Sequence, residues 1–366
     1  MTRIFVDGHF LNGGFHGAAT FLEYMYKSVS NNDEMEIVIG TVASLFKGYS
    51  NVSVTRYRHQ SKFRLLFDIP RILFASHFDY AHFTYAIPFI RPKKCKIIVT
   101  IHDILYKDVP AEFTFLYRFL RDVTFGYAAR HATIVTTISL YSRALISKYF
   151  HVDLEKIHIL TCGLSKEFRE PFDKSEAIKF VKSNLGVQGD YISFVSRIEP
   201  RKNHDGLLKA YIELKLYKKN ISLVFIGKVY SENKKLSAQL AELSPEQKKH
   251  VYIFSELAFA ELLQVYRASR MCVYPSKAEG FGIPIVESLA LGVPTLFSNT
   301  TAMSEFSFAS KYFIDPDDVE SIKQKMLLEL DSGIYQEQEL IELQAEVLKE
   351  FCWNDSSKKL LSLLRD

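Results

Sequence analysis

Short runs rich in β-branched residues recur along the chain, and each gives way to a stretch whose apolar positions repeat at helical spacing. In the first half these runs are RIFVDG (residues 3–8), EIVIG (36–40), KIIVTIHD (96–103), TIVTTIS (133–139) and KIHIL (156–160), with an amphipathic segment over residues 20–29 after the first. Strands alternating with helices predict βα units, and hence a parallel sheet with helices on both faces. The polar, proline-containing stretch GLSKEFREPFD (163–173) interrupts this pattern. Beyond it the rhythm restarts with YISFVSR (191–197), a helical segment over about 205–216, ISLVFIG (221–227), HVYIFSE (250–256), RMCVYPS (270–276) and VPTLFSN (293–299). The expected fold class is α/β, with two doubly wound parallel-sheet domains, residues 1–170 and 171–352, facing one another across a cleft. The last stretch, FCWNDSSKKLLSLLRD, predicts a helix over about 353–366, capped around Asn354 or Asp355, that folds back on the first domain.

Size and composition agree with this picture. A chain of 366 residues exceeds what one core usually organises, and 48% hydrophobic with 24% charged residues is ordinary for a globular protein. Cys95, Cys162, Cys272 and Cys352 stand far apart, without metal-type spacing or a disulfide framework, and read as reduced thiols of a cytoplasmic protein. The start MTRIFVDGHFL lacks the apolar core of a signal peptide, and no apolar run approaches the roughly 18 to 20 residues of a membrane span. The formal charge is +4, but residues 1–172 hold 21 Lys and Arg against 15 Asp and Glu, leaving −2 for the remainder. The basic lean concentrates in RYRHQSKFRLLFDIPRILF (56–74), where five cations alternate with apolar side chains. That segment reads either as amphipathic helices over a core or as a face resting on anionic phospholipid. Nucleic acid is a poorer fit, because no reader motif accompanies the modest basicity.

Open parallel sheets bind ligands beyond the carboxyl ends of their strands, so chemistry is expected just after each strand. In YPSKAEGFGIPIVESLALGVP (274–294), a strand leads through a glycine loop into a helix, with Pro284 at its first position and Gly292 at its stop. Gly280 and Gly282 permit backbone N–H groups to approach an anion at the helix N-terminus, while Glu279 and Glu287 address different parts of one ligand. Both glutamates also suit a purely local role, with Glu287 complementing the helix dipole and Glu279 solvated. In VSRIEPRKNHDGLLKAY, Arg197 and Lys202 follow a strand and can reach one pyrophosphate, whereas Arg201 and Lys202 also read as solvated loop charges; Asn203 or Asp205 begins the next helix. His102 and Asp103 end a strand of the first domain, and Asp103 reads as a cap for the segment after it. NGGFHGAAT, with Gly13, Gly14 and Gly17, does not match the G-x-G-x-x-G dinucleotide pattern, which counts against a nicotinamide enzyme. Asp315 and Asp317 resemble a metal-binding Asp-x-Asp, but Asp317 as N-cap with Glu320 three residues on is the simpler account, and no metal site is expected.

Taken together, IFVDGHFL…GAATFLEYM, IHD, TISLYSR, SRIEPRKNHDGLLKAY and above all EGFGIPIVESLALGVP resemble the retaining glycosyltransferases of family 4, in the branch of bacterial surface-polysaccharide (O-antigen and capsule) clusters. The resemblance spans most of residues 3–320. It implies a two-Rossmann fold of the B type (GT-B), no cofactor, no metal ion, and a nucleotide-sugar donor held mainly by the second domain. It makes Arg197 and Lys202 the diphosphate clamp and Glu287 the ribose ligand, and gives Glu279, Gly280, Phe281 and Gly282 the donor-sugar and phosphate contacts. Backbone around Phe254 and Ser255 meets the base, His102 positions the sugar, and Gly17 belongs to a loop over the phosphates. Where the family commonly reads Gly-Ile-Gly-Arg-Tyr, this chain has Gly17, Ala18, Ala19, Thr20 and Phe21, so a glycine and an arginine are missing.

The branch implies mannose from GDP-mannose, with UDP-hexoses and dTDP-rhamnose as alternatives. It also implies a lipid-diphosphate-linked saccharide acceptor at the inner face of the cytoplasmic membrane, where the protein rests peripherally. A sugar phosphorylase or nucleotide-sugar epimerase fits the same double fold, and a non-catalytic nucleotide-sugar binding module fits the altered glycine loop.

Overall fold

The computed structural model describes residues 1–12, 17–30, 32, 34–41, 49–59, 63–333 and 336–365. Gly13 and Gly14 lie outside the described residues. The chain divides into two compact units, one formed by residues 1–163 with 352–366 and the other by residues 164–351.

In the first unit seven strands form one parallel sheet: β1 (Thr2–Asp7), β2 (Met35–Gly40), β3 (Val52–Thr55), β4 (Tyr80–Thr84), β5 (Lys96–Thr100), β6 (Ile134–Thr137) and β7 (Ile157–Ile159). Their spatial order is β3-β2-β1-β4-β5-β6-β7, so the chain reverses direction between β1 and β4. The helices are α1 (Gly17–Val29), α2 (Phe63–Leu66), α3 (Asp68–Ala75), α4 (Phe115–His131) and α5 (Leu140–Phe150). Phe5, Phe83, Val99 and Val135 project from the sheet into a core shared with Ile69, Leu73, Phe125, Ala128 and Ile146. The central strands are buried on both faces, as a parallel sheet between two helix layers requires.

The second unit repeats the plan with β8 (Asp190–Val195), β9 (Ile221–Ile226), β10 (Val251–Phe254), β11 (Met271–Tyr274), β12 (Thr295–Ser298) and β13 (Phe313–Ile314), in the order β10-β9-β8-β11-β12-β13. Its helices are α6 (Lys174–Asn184), α7 (His204–Glu213), α8 (Lys234–Glu242), α9 (Pro245–Lys248), α10 (Phe259–Ala268), α11 (Ile283–Ala290), α12 (Val319–Ser332) and α13 (Glu337–Glu350). Here the reversal falls between β8 and β11. Ligands of doubly wound sheets lodge at that switch point, beyond the strand ends. The chain then returns to the first unit as α14 (Trp353–Leu363), whose Trp353 ring stacks on Tyr24 of α1 at 5.8 Å.

Several expectations need correction. The units meet at Gly163–Leu164 and Phe351–Cys352. Leu164 donates its N–H to the Phe351 carbonyl at 3.0 Å, so both ends of the second unit lie side by side, earlier than the polarity around residue 170 suggested. Helix α14 is not capped by Asn354 or Asp355; it starts at Trp353 after Cys352, and the Asn354 side chain instead accepts a 2.7 Å bond from Ser28 of α1. The cap of α12 is Asp318, which accepts from the Glu320 N–H at 2.9 Å, because Asp317 is drawn away to Lys277 at 2.6 Å. The segment 56–74 divides between core and surface: Arg56, Arg58 and Arg71 are exposed, as are Phe63, Leu66, Phe67 and Phe74, and Lys62 lies outside the described residues. Arg64 is buried against Asp7, with Nη2 to Oδ2 at 2.8 Å, and Ile69 and Leu73 enter the core.

Candidate active site

Two loops meet at the switch point of the second sheet. The first follows β8 and carries Arg197, Glu199, Arg201 and Lys202; the second follows β11 and carries Glu279. Arg201 joins them. Its guanidinium donates to Glu199 at 2.5 Å, to the Ala278 carbonyl at 2.6 Å and to Glu279 Oε2 at 3.2 Å. Lys202 Nζ donates to the other oxygen, Glu279 Oε1. The sequence left Arg201 and Lys202 open as solvated charges and Glu279 as a solvated carboxylate, yet both cations are buried and Glu279 is mostly enclosed between them.

The electrostatics follow from that enclosure. Burial pushes the Glu279 carboxyl up, but Lys202 and Arg201 outweigh it and hold the group down at about 2. Burial lowers the Lys202 ammonium, opposed by Glu279. Glu279 is therefore an anion whose role is to hold a cation at the strand end. Arg197 stands apart, with a half-exposed guanidinium over the Tyr230 ring at 4.3 Å and 3.4 Å from Glu199.

Backbone geometry fixes Glu279. Its N–H donates to Thr301 Oγ1 at 2.9 Å, and Thr301 sits at φ +50°, a left-handed conformation that β-branched residues avoid. Such strain persists where the surroundings over-determine it and often marks a functional site. After Glu279, Gly282 caps α11 at φ +112° and its carbonyl accepts from Ile285 at 3.0 Å, which leaves the Ile283 N–H without an intrahelical partner. Pro284 falls in the first turn after Ile283 rather than opening it, and Gly292 at φ +65° stops the helix as expected. The Phe281 ring is buried against Phe306 and Phe351, at 5.7 and 5.9 Å, so this residue has only its backbone to offer a ligand.

Glu287 lies one turn into α11 and accepts from Tyr266 at 3.0 Å. Burial pushes its carboxyl up to about 7, with the Tyr266 hydroxyl acting in the opposite direction. Phe254 ends β10 with Ser255 just after it, and the Phe254 carbonyl accepts the Gly227 N–H at 2.8 Å. Asn203, at φ +62°, precedes α7 and donates to the Pro316 carbonyl at 2.7 Å rather than capping the helix.

In the first unit His102 follows β5. Its ring is buried edge-on to Phe21 at 4.9 Å and 5.5 Å from the ring of Tyr85. Tyr85 follows β4, at the switch point of the first sheet, with φ +67°. Gly17 opens α1, and a Cβ added there would meet nothing within 4 Å. Sequence reasoning read Arg201 only as a solvated charge and missed Glu199, Thr301 and Tyr85. The acid-Pro-Arg-Lys run pointed to the first pair, whereas no residue pattern announces a left-handed threonine or tyrosine. Among the described residues no three His, Cys, Asp or Glu side chains gather as a metal site, and no helix is long and apolar enough to cross a membrane.

Two family models match the chain. The one described as glycosyl transferases group 1 covers residues 175–342, and the one described as glycosyltransferase family 4 covers residues 31–168. The chain is 28% identical over 233 residues to O-antigen chain mannosyltransferase B of Escherichia coli, a match spanning 63% of this chain and 60% of that protein. It is 26% identical over 241 residues to O-antigen chain mannosyltransferase RfbU of Salmonella typhimurium, spanning 65% and 60%. The matched part is thus about three-fifths of each relative's length. The fold superimposes on sucrose-phosphate synthase of Thermosynechococcus elongatus with a TM-score of 0.79 at 14% identity, covering 100% of this chain and 98% of that one. The two doubly wound parallel sheets and this superposition give the chain the GT-B fold. Together the two models span most of the chain and mark it as a glycosyltransferase, and the proteins it resembles include O-antigen mannosyltransferases.

Proposed function

We propose that this protein transfers a hexose, with retention and without a divalent ion, from a nucleotide sugar to a lipid-diphosphate-linked saccharide at the inner face of the cytoplasmic membrane. Mannose from GDP-mannose is the donor that the likeness to the two O-antigen mannosyltransferases favours. The observation that carries the reading is the buried Lys202, set by Glu279 and Arg201 beside the glycine loop that opens α11.

Breaking the anomeric C–O bond places negative charge on the departing diphosphate while the sugar becomes oxocarbenium-like. Lys202, Arg197 and the free N–H groups of Gly280 to Ile283 offer fixed positive charge there, and such preorganised groups act strongly where water is excluded. Glu287 accepts from the ribose hydroxyls. The acceptor oxygen attacks the face that the leaving group vacates, and a phosphate oxygen takes its proton, so no side chain need serve as a general base. His102 positions the sugar.

The test is a thermal-shift series with GDP-mannose, UDP-glucose and dTDP-rhamnose, each with and without EDTA, followed by NMR of the anomeric centre in the product. A donor at 100 times its Kd adds about 2.7 kcal/mol of stability. Silence toward every nucleotide sugar, or transfer that ceases with EDTA, defeats the proposal.

A further inference from the structure

The outward face of α4 is apolar, the reverse of an ordinary surface helix. At 100° per residue, Leu116, Phe119, Leu120, Val123 and Tyr127 fall within an arc of about 100°, while Phe125, Ala128 and Ala129 point the other way, into the core. On that arc Leu116 is 64% exposed and Phe119 54%, and Phe115 at the helix start is 75% exposed. The loop between β4 and β5 extends the same surface. Phe89 packs its ring on Tyr127 at 4.6 Å, Arg91 donates to the Tyr127 hydroxyl at 3.1 Å, and Ile90 beside them is 64% exposed.

Cations predominate around this surface. Arg91 reaches Tyr127 and the His131 carbonyl, Arg130 lies on the helix, Lys93 and Lys94 follow exposed in the Phe89 loop, and the arc itself carries no carboxylate. The one acid of the helix, Asp122, is paired with Lys107 at 2.7 Å and accepts from the Tyr106 hydroxyl at 2.9 Å. Apolar wedges ringed by cations complement an anionic lipid surface, whereas two copies of the face would set like charges together.

We infer that α4 and the Phe89–Lys94 loop seat the first unit on an anionic phospholipid bilayer. The inference rests on the reading of a lipid-linked acceptor. It brings the bilayer close to the chemistry. Phe125 of α4 stacks on Tyr85 at 4.8 Å, and Tyr85 lies against His102, so one layer of rings separates the docking helix from the sugar-positioning histidine.

The test is co-sedimentation of the full chain with vesicles of phosphatidylcholine alone or with phosphatidylglycerol, at low and high salt. The wild type pellets with the phosphatidylglycerol vesicles and is released by salt. Leu116→Glu with Leu120→Glu lowers the bound fraction at least about tenfold, Lys93→Glu with Lys94→Glu does so chiefly at low salt, and Leu328→Glu, an exposed control on the second unit, leaves it unchanged. Equal pelleting of the Leu116/Leu120 variant overturns the assignment. A concentration-dependent dimer in sedimentation velocity that this variant dissolves also overturns it. Nucleotide-sugar binding measured on the same samples separates the two proposals: vesicle binding without donor binding defeats the transferase alone, and donor binding without vesicle binding defeats the docking face alone.

Discussion

Thr301 accepts the backbone N–H of Glu279 at 2.9 Å from a left-handed conformation, φ +50°, that a threonine adopts only at a cost of about 1–3 kcal/mol. The bond holds the carboxylate of Glu279 where Lys202 and Arg201 meet it. Thr301→Ala removes the acceptor and loosens Glu279, and is expected to lower transfer about tenfold, with Thr301→Ser retaining most activity because its hydroxyl keeps the bond. Initial rates of both variants at saturating donor check this. Equal rates for alanine and serine would remove Thr301 from the site.

Lys202→Ala deletes the buried cation that the proposed mechanism sets against the departing diphosphate. By analogy with loss of one oxyanion donor, turnover falls by roughly 10² to 10³, or about 2.7 to 4 kcal/mol. Arg201 still neutralises Glu279 in the variant, so the fold survives. Single-turnover rates, with circular dichroism as the check on folding, decide the matter.

Glu287 supplies a pH signature. Burial raises its folded pKa from the ordinary 4.5 to about 7, so the native state binds a proton that the unfolded chain has released. Its favourable share of stability is complete below pH 4.5 and is lost as pH rises through about 7. Ribose hydroxyls donate better to the ionised carboxylate, so donor affinity moves the opposite way and strengthens as pH climbs through 7. Calorimetric titration of donor from pH 5.5 to 8.5 is expected to show that slope in the wild type and its absence in Glu287→Gln.

In the first unit Asp7 is 1% exposed and is held by Arg64 and by the Tyr57 hydroxyl at 2.9 Å. Removing one partner of a buried pair leaves an uncompensated charge, so Arg64→Ala is expected to cost about 3–5 kcal/mol in urea denaturation. The paired variant Asp7→Asn with Arg64→Met recovers a large part of that loss. A cost under about 0.5 kcal/mol for the single variant, as for an ordinary surface residue, would return Arg64 to the solvent.

Gly163 passes so close to α14 that an added Cβ would run into the backbone N of Trp353 and lie 2.7 Å from the Trp353 ring. Gly163→Ala therefore displaces the returning helix and destabilises the first unit by about 1–3 kcal/mol. Trp353 is the only tryptophan of the chain, so its fluorescence reports the change directly.

Strands such as Ile221–Ile226 were plain in the sequence because parallel strands buried on both faces are nearly uninterrupted runs of Val, Ile, Leu and Phe. Tyr80–Thr84 escaped notice because it carries His82 in its middle. That histidine is buried with bonds to Tyr26 at 2.6 Å and Thr100 at 2.7 Å, and burial holds its ring neutral with a pKa of about 3, a solution invisible without the neighbouring strands. The edge strand Val52–Thr55 is too exposed, and Phe313–Ile314 too short, to stand out. At the site, glycine and proline spacing exposed the loop before α11, since those residues are chosen for local backbone reasons. The partnership of Arg201 with Glu279 joins residues 78 apart and depends on which strand lies beside β8. Lys202 read equally well as a clamp or as a loop charge until that neighbour was known.

The adjacent ends of residues 164–351 give this enzyme an architecture of insertion. This unit is spliced into the other as a cassette whose entry and exit already touch, so it can be excised or exchanged for a relative's without designing a new joint. A truncation that trims the chain's tail, by contrast, strips packing from the lobe at the opposite end of the sequence.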